Sequence, residues 1–176
     1  MKNIFVVVLL ILIAGSGNRE IHEDKLQNRN GIYYEVNQSK SFTGIVRRHY
    51  RNGQISNESN YKKGQLEGVV RNYYENGQLK LESNYINGKQ EGKFKWYYWN
   101  GKLSSEGNYK KNKLEGKRKS YYENGKLSSE YEYKNGQLEG NYKVYLENGE
   151  INSESNFKNG KLEGLSKVYY SSGELN

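Results

Sequence analysis

The sequence predicts an all-β fold, a single-layer antiparallel β-meander made of tandem 24-residue hairpin repeats. Glycines and Asn-Gly pairs recur 24 residues apart, and the chain has 18 Tyr, 4 Phe and 2 Trp but no Pro. Aromatic residues favour pleated, half-buried surfaces and Gly favours tight turns, so we expect strands even though the mean hydropathy is −1.09. The aromatic content also argues against the alternative of a disordered chain.

The N-terminus has the pattern of a signal peptide. Lys2 precedes an apolar run from Ile4 to Ala14 and then small residues, so we assign residues 1–17 to an export signal. The run is short for a bilayer span, and an uncleaved anchor is the alternative. The segment also resembles a bacterial lipobox, but Ser16 holds the position of the lipid-accepting Cys, so lipidation is not expected. We therefore expect an exported protein of the periplasm, the outer envelope or the exterior.

The rest of the chain divides by its turn signals. Residues 18–29 are predicted to be a charged linker and residues 30–43 a half-repeat cap, and the array extends to residue 176. Repeats begin near residues 44, 68, 92, 116, 140 and 164, which are all glycines. A second series is Gly53, Gly77, Gly101, Gly125, Gly149 and Gly173, and a third is Gly64, Gly88, Asn112, Gly136 and Gly160. Asn tolerates positive φ better than other non-Gly residues, so the third series also indicates a turn.

Each repeat is predicted to be one hairpin. In the third repeat, Lys93–Trp99 and Lys102–Tyr109 are joined by Asn100-Gly101, and Asn-Gly between strands favours a two-residue type I′ turn. A longer second turn, from Tyr109 to Gly116, would carry the chain into the next hairpin. The result is a meander.

A two-residue turn fixes the cross-strand register. It places Tyr74 opposite Leu79, and it places a basic residue opposite an acidic one in five repeats. These pairs are Arg47–Glu58, Arg71–Glu82, Lys95–Glu106, Lys119–Glu130 and Lys143–Glu154. The other face is the predicted core, formed by Tyr74, Tyr98, Tyr122, Leu146 and Tyr170, by Leu79, Leu103, Leu127 and Ile151, and by Tyr61, Tyr85, Tyr109, Tyr133 and Phe157.

Residues 121–140, with the sequence YYENGKLSSEYEYKNGQLEG, resemble the MORN-repeat variant of many bacterial proteins. The opening Gly31–Tyr34 and Ser41–Gly44 is similar to the capping half-repeat of YwqK-family antitoxins. The resemblance implies a single layer of hairpins that serves protein contacts, membrane association or assembly. Some lipid kinases carry such repeats beside a kinase domain, but the phosphate loop and the catalytic and metal-binding residues of a kinase are missing here.

The residue inventory argues against an enzyme. The chain has no Cys, its one Asp is Asp24, and its two His are His22 and His49. Most catalytic triads and metal centres need residue types that the repeats lack, so we expect no catalytic site, no cofactor and no metal. The repeated Glu could act in acid-base chemistry only as pairs in a cleft, and each is predicted to face a cation instead.

The candidate partner-binding residues form three groups. Basic groups beside aromatic ones on the face opposite the core suggest a glycan, an anionic polymer or a headgroup surface. The alternative is a solvated face, because each of the first five basic residues is opposite a Glu. Phe94, Trp96 and Tyr98 alternate toward the core and are expected to pack there, whereas Trp99 is expected to contact a partner. The candidates are Trp99, the tyrosines Tyr73, Tyr97, Tyr121, Tyr145 and Tyr169, and the turn lysines Lys110, Lys111 and Lys113.

Together these features predict a non-catalytic protein-binding or scaffolding protein of the bacterial cell envelope. The alternative is an antitoxin or immunity-type protein that neutralises a toxin by binding it. A protein partner is expected, with weak contact to an acidic membrane or glycan surface, and no nucleic acid because the chain is exported. The net charge of +8 has the sign for such contact, although it could serve solubility alone. The strand edge at Lys167–Tyr170, whose partner strand would lie beyond Asn176, offers a route to a homodimer.

Overall fold

The computed structural model describes residues 19–170 and 172–176, and these residues are almost entirely β-structure. The predicted signal peptide, residues 1–17, lies outside the described residues. The strands are β1 (Glu20–His22), β2 (Leu26–Arg29), β3 (Ile32–Glu35), β4 (Gly44–His49), β5 (Ile55–Lys62), β6 (Gln65–Tyr73), β7 (Leu79–Ile86), β8 (Lys89–Tyr97), β9 (Leu103–Lys110), β10 (Lys113–Leu114), β11 (Gly116–Tyr121), β12 (Leu127–Lys134), β13 (Gln137–Leu138), β14 (Gly140–Tyr145), β15 (Ile151–Lys158), β16 (Lys161–Leu162) and β17 (Lys167–Val168). One short 3-10 helix, Glu23–Lys25, follows β1.

One large sheet contains 15 of these strands, and β2 and β3 form a separate hairpin. From β4 to β9 each strand pairs antiparallel with its neighbours in chain order, which confirms the predicted meander. Beyond β9 the pattern continues with interrupted strands: β10 and β11 both pair with β9, β13 and β14 with β12, and β16 and β17 with β15. Strand β1 is the exception, because it pairs parallel with β4. The edge of the sheet beside β4 is thereby covered.

The segment predicted to be a linker is part of the fold from residue 19 onward. It contains β1, the 3-10 helix and β2, and β2 pairs with β3 of the cap. The cap is bonded to the first repeat, since the Tyr33 amide donates to the Gly64 carbonyl at 2.9 Å and the Gly64 amide donates to the Phe42 carbonyl at 2.7 Å. The Tyr33 and Tyr61 rings meet edge to face with centroids 5.2 Å apart. Charged residues in this segment therefore did not indicate a linker, because main-chain pairing does not depend on side-chain charge.

The Asn-Gly turns are not the two-residue type I′ turns that the sequence predicted. In the second repeat the Gly77 amide donates to the Tyr74 carbonyl at 2.9 Å, and the Tyr74 amide donates to the Gln78 carbonyl at 2.8 Å. Asn76 keeps a negative φ, while Gly77 has a φ of +82°. This is a type I turn followed by a glycine bulge. The Asn76 side chain stabilises it by accepting the Gln78 amide at 3.0 Å.

The type I′ turns lie at the opposite ends of the strands. Ile86 pairs with Lys89 across Asn87-Gly88, and both turn residues have positive φ, of 49° and 75°. The second turn is thus a two-residue turn and not the longer loop that was predicted. The same positive φ pair recurs at Lys63-Gly64, Lys111-Asn112, Asn135-Gly136 and Asn159-Gly160.

All five predicted basic-acidic pairs have the predicted register. The pairing of Tyr74 with Leu79 was wrong, because Leu79 pairs with Tyr73. The loop is one residue longer than predicted, and a bulge at Lys80 adds one residue to the returning strand. The two changes cancel, so Arg71 still meets Glu82.

The core is smaller than predicted and uses other residues. Among the described residues, the buried apolar side chains are Phe42, Val46, Val70 and Phe94, with four buried serines beside them at positions 59, 83, 105 and 129. Tyr109 packs on Phe94 with ring centroids 5.0 Å apart, and Tyr61, at the same repeat position, lies against Phe42 with centroids 6.1 Å apart. The side chains on this side of the sheet define the core face.

The predicted open edge at Lys167–Tyr170 is partly covered by the end of the chain. The Tyr170 amide donates to the Glu174 carbonyl at 2.9 Å, and the Asn176 amide donates to the Val168 carbonyl at 2.8 Å. The partner segment therefore begins before Asn176 and not beyond it. The reason is the turn around Gly173, whose φ of +85° returns the chain onto the strand.

Candidate partner-binding surface

The face opposite the core carries one continuous row of alternating charge. The pairs between hairpins continue those within them, as where Glu82 pairs with both Arg71 and Lys95. We call this the charge row. It runs Arg47, Glu58, Arg71, Glu82, Lys95, Glu106, Lys119, Glu130, Lys143, Glu154 and Lys167.

The two arginines of the row make its closest ion pairs. Arg71 Nε lies 2.8 Å from Glu82 Oε2, and Arg71 Nη1 lies 3.5 Å from Glu58 Oε1. Arg47 binds Glu58 at 2.8 Å and also contacts Glu20 of β1. The planar guanidinium presents several donors at once, which is why one Arg joins two carboxylates.

In the lysine half of the row, tyrosines bind the glutamates. The Tyr121 hydroxyl donates to Glu106 Oε1 at 2.8 Å, and the Tyr145 hydroxyl donates to Glu130 Oε1 at the same distance. Burial, and then the hydrogen bond to the carboxylate, raises the pKa of Tyr121 and of Tyr145 to about 12. These tyrosines belong to the predicted aromatic group, which we call the tyrosine row: Tyr73, Tyr97, Tyr121, Tyr145 and Tyr169.

The tyrosine row is half-buried beside the charge row, as the sequence placed it. Three of its hydroxyls are bound to glutamates, the third being Tyr169 to Glu154 at 3.4 Å. A phenol that is committed to a carboxylate offers a partner mainly its ring.

Trp99 is the most exposed aromatic side chain among the described residues, with 64% of its surface accessible. It lies in the Asn-Gly loop after β8 and not on a strand face. Its carbonyl accepts a hydrogen bond of 3.0 Å from the Asn76 side chain of the preceding loop, which fixes the main chain and leaves the indole free. Trp96 was expected in the core but is 40% exposed, although Phe94 on the same face is buried as expected. Tyr98 lies in the loop, where its hydroxyl binds the Tyr121 carbonyl.

Trp96 is exposed because its cross-strand neighbours do not cover it. It pairs with Leu81 on one side and with Ser105 on the other, and the Ser side chain is too short to cover an indole. Phe94, by contrast, packs against Tyr109. The aromatic cluster therefore divides into one core residue and two accessible indoles.

The lysines Lys110, Lys111 and Lys113 form an exposed lysine rim at the type I′ turn. Lys111 has a φ of +51°, and its amide donates to Glu91 Oε2 at 2.8 Å. The aliphatic part of Lys113 lies 3.6 Å from where a Cβ on Gly136 would stand. The ammonium groups are thus carried on an ordered main chain.

The structure does not bring the three candidate groups together. Trp99 and the tyrosine row lie toward the Asn-Gly loops, and the lysine rim lies at the other end of the strands. Strand β9 separates the two ends by roughly 23 Å at the usual rise per residue. A single small partner site cannot include both, so they are separate surfaces.

Two sets of linking residues were not found from the sequence. The hydroxyls of Tyr50, Tyr74, Tyr98 and Tyr122 each donate to a main-chain carbonyl 23 residues later, at 2.6 to 2.7 Å. The carboxylates of Glu67, Glu91, Glu115 and Glu139 each accept the first amide of the next type I′ turn, at 2.8 to 2.9 Å. Their constant spacing of 24 residues was the available signal. The repeated Glu of the Leu-Glu-Gly motif thus has a structural role.

Two kinds of site are not seen in the described part of the chain. No group of three or more His, Asp or Glu residues there could hold a metal ion. His22 and His49 stack at 5.8 Å, with His22 bonded to Asp24. Within residues 19–170 and 172–176, no helix is long and apolar enough to cross a membrane.

The fold and the surface define a β-hairpin repeat protein with a charged face and a core face. Hydrogen bonds between neighbouring hairpins link both ends of its strands. The chain belongs to the family of the MORN repeat variant, whose model matches residues 42–63, 66–87, 90–111, 114–135 and 138–159, well over half of the sequence. Each match ends at the first residue of a type I′ turn. Comparison with curated proteins gave no significant match. The similarity of residues 31–44 to the YwqK cap stays a prediction.

Proposed function

We propose that this protein is a non-catalytic, protein-binding scaffold of the bacterial cell envelope, with Trp99 as its main contact. Tandem repeats of this family suit binding, because a stack of equivalent units displays a long surface without a catalytic cleft. The observation that supports the site is the exposed indole of Trp99 on a hydrogen-bonded loop. Trp is enriched among residues that dominate interface energetics, and a pre-ordered loop lowers the entropy cost of binding.

The repeat itself supplies matched variants. The loop position of Trp99 is held by Arg51, Glu75, Glu123 and Glu147 in the other hairpins, so Trp99→Glu and Trp99→Arg both fit a loop that the fold already uses. A photo-crosslinking side chain at position 99 in the native bacterium should trap one protein, and the same side chain at position 123 should not. That protein should then lose affinity for both variants, which carry opposite charges.

The two variants distinguish a contact made by the indole ring from a contact that depends on charge. Loss of binding in both variants assigns the contact to the indole. Loss in only one would assign it to charge, and equal crosslinking from positions 99 and 123 would remove Trp99 as the contact. Circular dichroism of both variants checks that the sheet is intact.

The envelope location has its own test, because residues 1–17 carry that part of the proposal. Fractionation of the native host with the mature N-terminus read by mass spectrometry should give processing near Ser16 and recovery from the envelope. An intact Met1 in the cytosol would overturn the envelope assignment and make an antitoxin role, with a toxin as the partner, the next hypothesis.

Two further contacts complete the proposal. The lysine rim would support weak association with an acidic membrane or glycan surface, which salt should weaken because exposed charges are screened. The C-terminal strands would support a homodimer, since Leu162, Val168 and Leu175 are exposed there. Vesicle sedimentation at two salt concentrations and sedimentation equilibrium with Val168→Lys test these two contacts separately.

A further inference from the structure

A cavity of about 360 Å³, widely open to solvent, lies on the charged face in the middle of the sheet, with Phe94 and Gly107 also in its lining. Strands β8, β9 and β11 form it. Lys93 and Lys95 border it on β8, Lys117 and Lys119 border it on β11, and Glu106 with Asn108 lies between them on β9. The two lysine pairs are separated by roughly 10 Å, which is two strand spacings. Four lysines on the two outer strands thus flank one carboxylate and one side-chain amide on the central strand.

The four lysines are not neutralised by that carboxylate. Among the described residues, none of the four has a carboxylate oxygen within 4 Å, whereas the arginines at the equivalent row positions are paired. Glu106 instead accepts the Tyr121 hydroxyl at 2.8 Å. One oxygen of Glu106 is thereby bound by a neutral donor and not by an ammonium group.

The site is specific to two adjacent repeats. The repeat position of Lys93 and Lys117 is held by Ile45, Val69, Asn141 and Leu165 elsewhere. The neighbouring cavity on the same face is formed by β11, β12 and β14 and shares Lys117 with the first; there Lys117 and Lys143 are matched by Glu130 and Glu132. The lining of the first cavity has four lysines and one carboxylate because Lys93 and Lys117 are both present, although Lys117 also lies opposite Glu132 on the side it shares with the neighbouring cavity.

We propose that this cavity binds a sugar phosphate. Lysine ammonium groups are effective phosphate ligands, and a lysine pair at one side can hold the dianion. Glu106 at the centre disfavours a ligand that is anionic throughout, but it accepts hydrogen bonds from hydroxyl groups, and the Asn108 amide can both donate and accept. A sugar phosphate, which carries one phosphate and several hydroxyl groups, satisfies both requirements. The volume is within the range of small-molecule sites.

Calorimetric titration of the full chain tests the site. The ligands are glucose 6-phosphate, glucose, inorganic phosphate and, for a sugar phosphate held within a polymer, phosphorylated dextran. Glucose 6-phosphate should bind more tightly than glucose or phosphate. The double variant Lys93→Asn, Lys117→Asn, which uses the residue of the fifth repeat, should weaken binding by at least about tenfold. The control Lys110→Asn, Lys111→Asn makes the same charge change on the lysine rim and should bind like the natural chain.

Tyr121→Phe is a second test that leaves the net charge unchanged. It removes the neutral donor of Glu106 and leaves the carboxylate more available to Lys95 and Lys119, so the affinity for glucose 6-phosphate should fall by several-fold while the affinity for glucose stays the same. Tighter binding of phosphorylated dextran per phosphate would assign the ligand to a polymer, and equal binding would assign it to the free sugar phosphate.

Three results would overturn the proposal: no binding of either phosphorylated ligand, equal affinity for glucose 6-phosphate and inorganic phosphate, or an equal loss in the lysine rim control. Trp99 is not part of the cavity, so failure here leaves the protein-binding proposal standing, and the reverse is also true.

Discussion

The hydroxyl of Tyr98 donates a hydrogen bond of 2.6 Å to the main-chain carbonyl of Tyr121, 23 residues later in the chain. The carbonyl lies at the end of the next hairpin's first strand, just before its Asn-Gly loop. Three other tyrosines at the same repeat position make the same bond. The bond links each hairpin to the next at the Asn-Gly ends of the strands. The loops are therefore ordered by their neighbours and not only by their own turn residues.

Tyr98→Phe should lower the free energy of unfolding by about 0.5 to 1.5 kcal/mol, the usual net value of one hydrogen bond. Leu146 holds the same position one repeat beyond Tyr122 and has no hydroxyl. Leu146→Tyr should therefore stabilise the array by up to about 1 kcal/mol, by bonding to the Tyr169 carbonyl. Urea midpoints of both variants measure this. A stability of Tyr98→Phe equal to that of the natural chain would show that the bond contributes nothing net.

Glu91→Ala should destabilise the link between hairpins at the type I′ turns, because Glu91 Oε2 accepts the Lys111 amide at 2.8 Å. We expect a loss of about 1 to 2 kcal/mol, near the lower end for hydrogen bonds to charged groups because the site is exposed. Hydrogen exchange at the Lys111 amide should also accelerate.

The matched control for that change is Glu163→Ala. Glu163 is the same motif residue in the last repeat, but its carboxylate binds the side chains of Asn156 and Lys158 and, within the described residues, no turn amide. Its substitution should cost less than that of Glu91. Equal losses would mean that the turn amide is not what Glu91 stabilises.

Gly64→Ala should be more destabilising than Gly88→Ala, although the two glycines have the same φ of about 76° and 75°. A Cβ at position 64 would overlap Ile32 Cγ2 and stand 2.7 Å from the Tyr33 carbonyl oxygen, whereas a Cβ at position 88 would have no atom closer than 4.0 Å. Both changes incur the left-handed strain of roughly 1 to 2 kcal/mol, and position 64 adds an overpacking cost of about 1 to 3 kcal/mol. The difference in melting temperature between the Gly64→Ala and Gly88→Ala variants measures the contact of Gly64 with the cap. Equal melting temperatures would contradict a cap that packs against Gly64.

The stability of the fold should fall between pH 10 and pH 12. The pKa of Tyr121 and of Tyr145 is raised from 10.0 to about 12 in the folded chain, so the protonated phenol is favoured by folding. That contribution is complete below pH 10 and is lost as the pH rises through 12. Urea midpoints across this range should fall less steeply for the variant Tyr121→Phe, Tyr145→Phe than for the natural chain. Parallel curves would show that these two phenols do not drive the alkaline loss.

The pairing of Arg71 with Glu82 was predicted from the sequence for a reason that was only half right. The Asn-Gly loop is one residue longer than a type I′ turn, and the bulge at Lys80 restores the register. Asn-Gly is compatible with either turn. The type I form occurs in all five Asn-Gly loops, and in each of them the Asn side chain accepts the amide two residues later. The bond from Asn76 to the Trp99 carbonyl adds a link between repeats, which no pattern within one repeat could reveal.

The candidate surface was also predicted only in part from the sequence. Exposure of Trp99 followed from its local position, because a bulky residue in a tight loop has few neighbours to cover it. The exposure of Trp96 could not be predicted in this way. The alternation of residues placed Trp96 correctly on the core face, but it could not show that Ser105 and Leu81 leave the indole uncovered. The excess of lysine around Glu106 also needed three strands in register before it could be recognised.

By itself, the sequence determined the repeat length, the strands and the alternation of charge along one face. These properties depend on local preferences: glycine at positive φ, aromatic residues on a pleated surface and the period of two along a strand. Only the tertiary structure decided how small the core is, how neighbouring hairpins are linked and where the chain before the repeats lies. Those features depend on bonds between residues about one repeat apart, such as Tyr98 to Tyr121 and Glu91 to Lys111, whose free energy is gained only when neighbouring hairpins are already stacked.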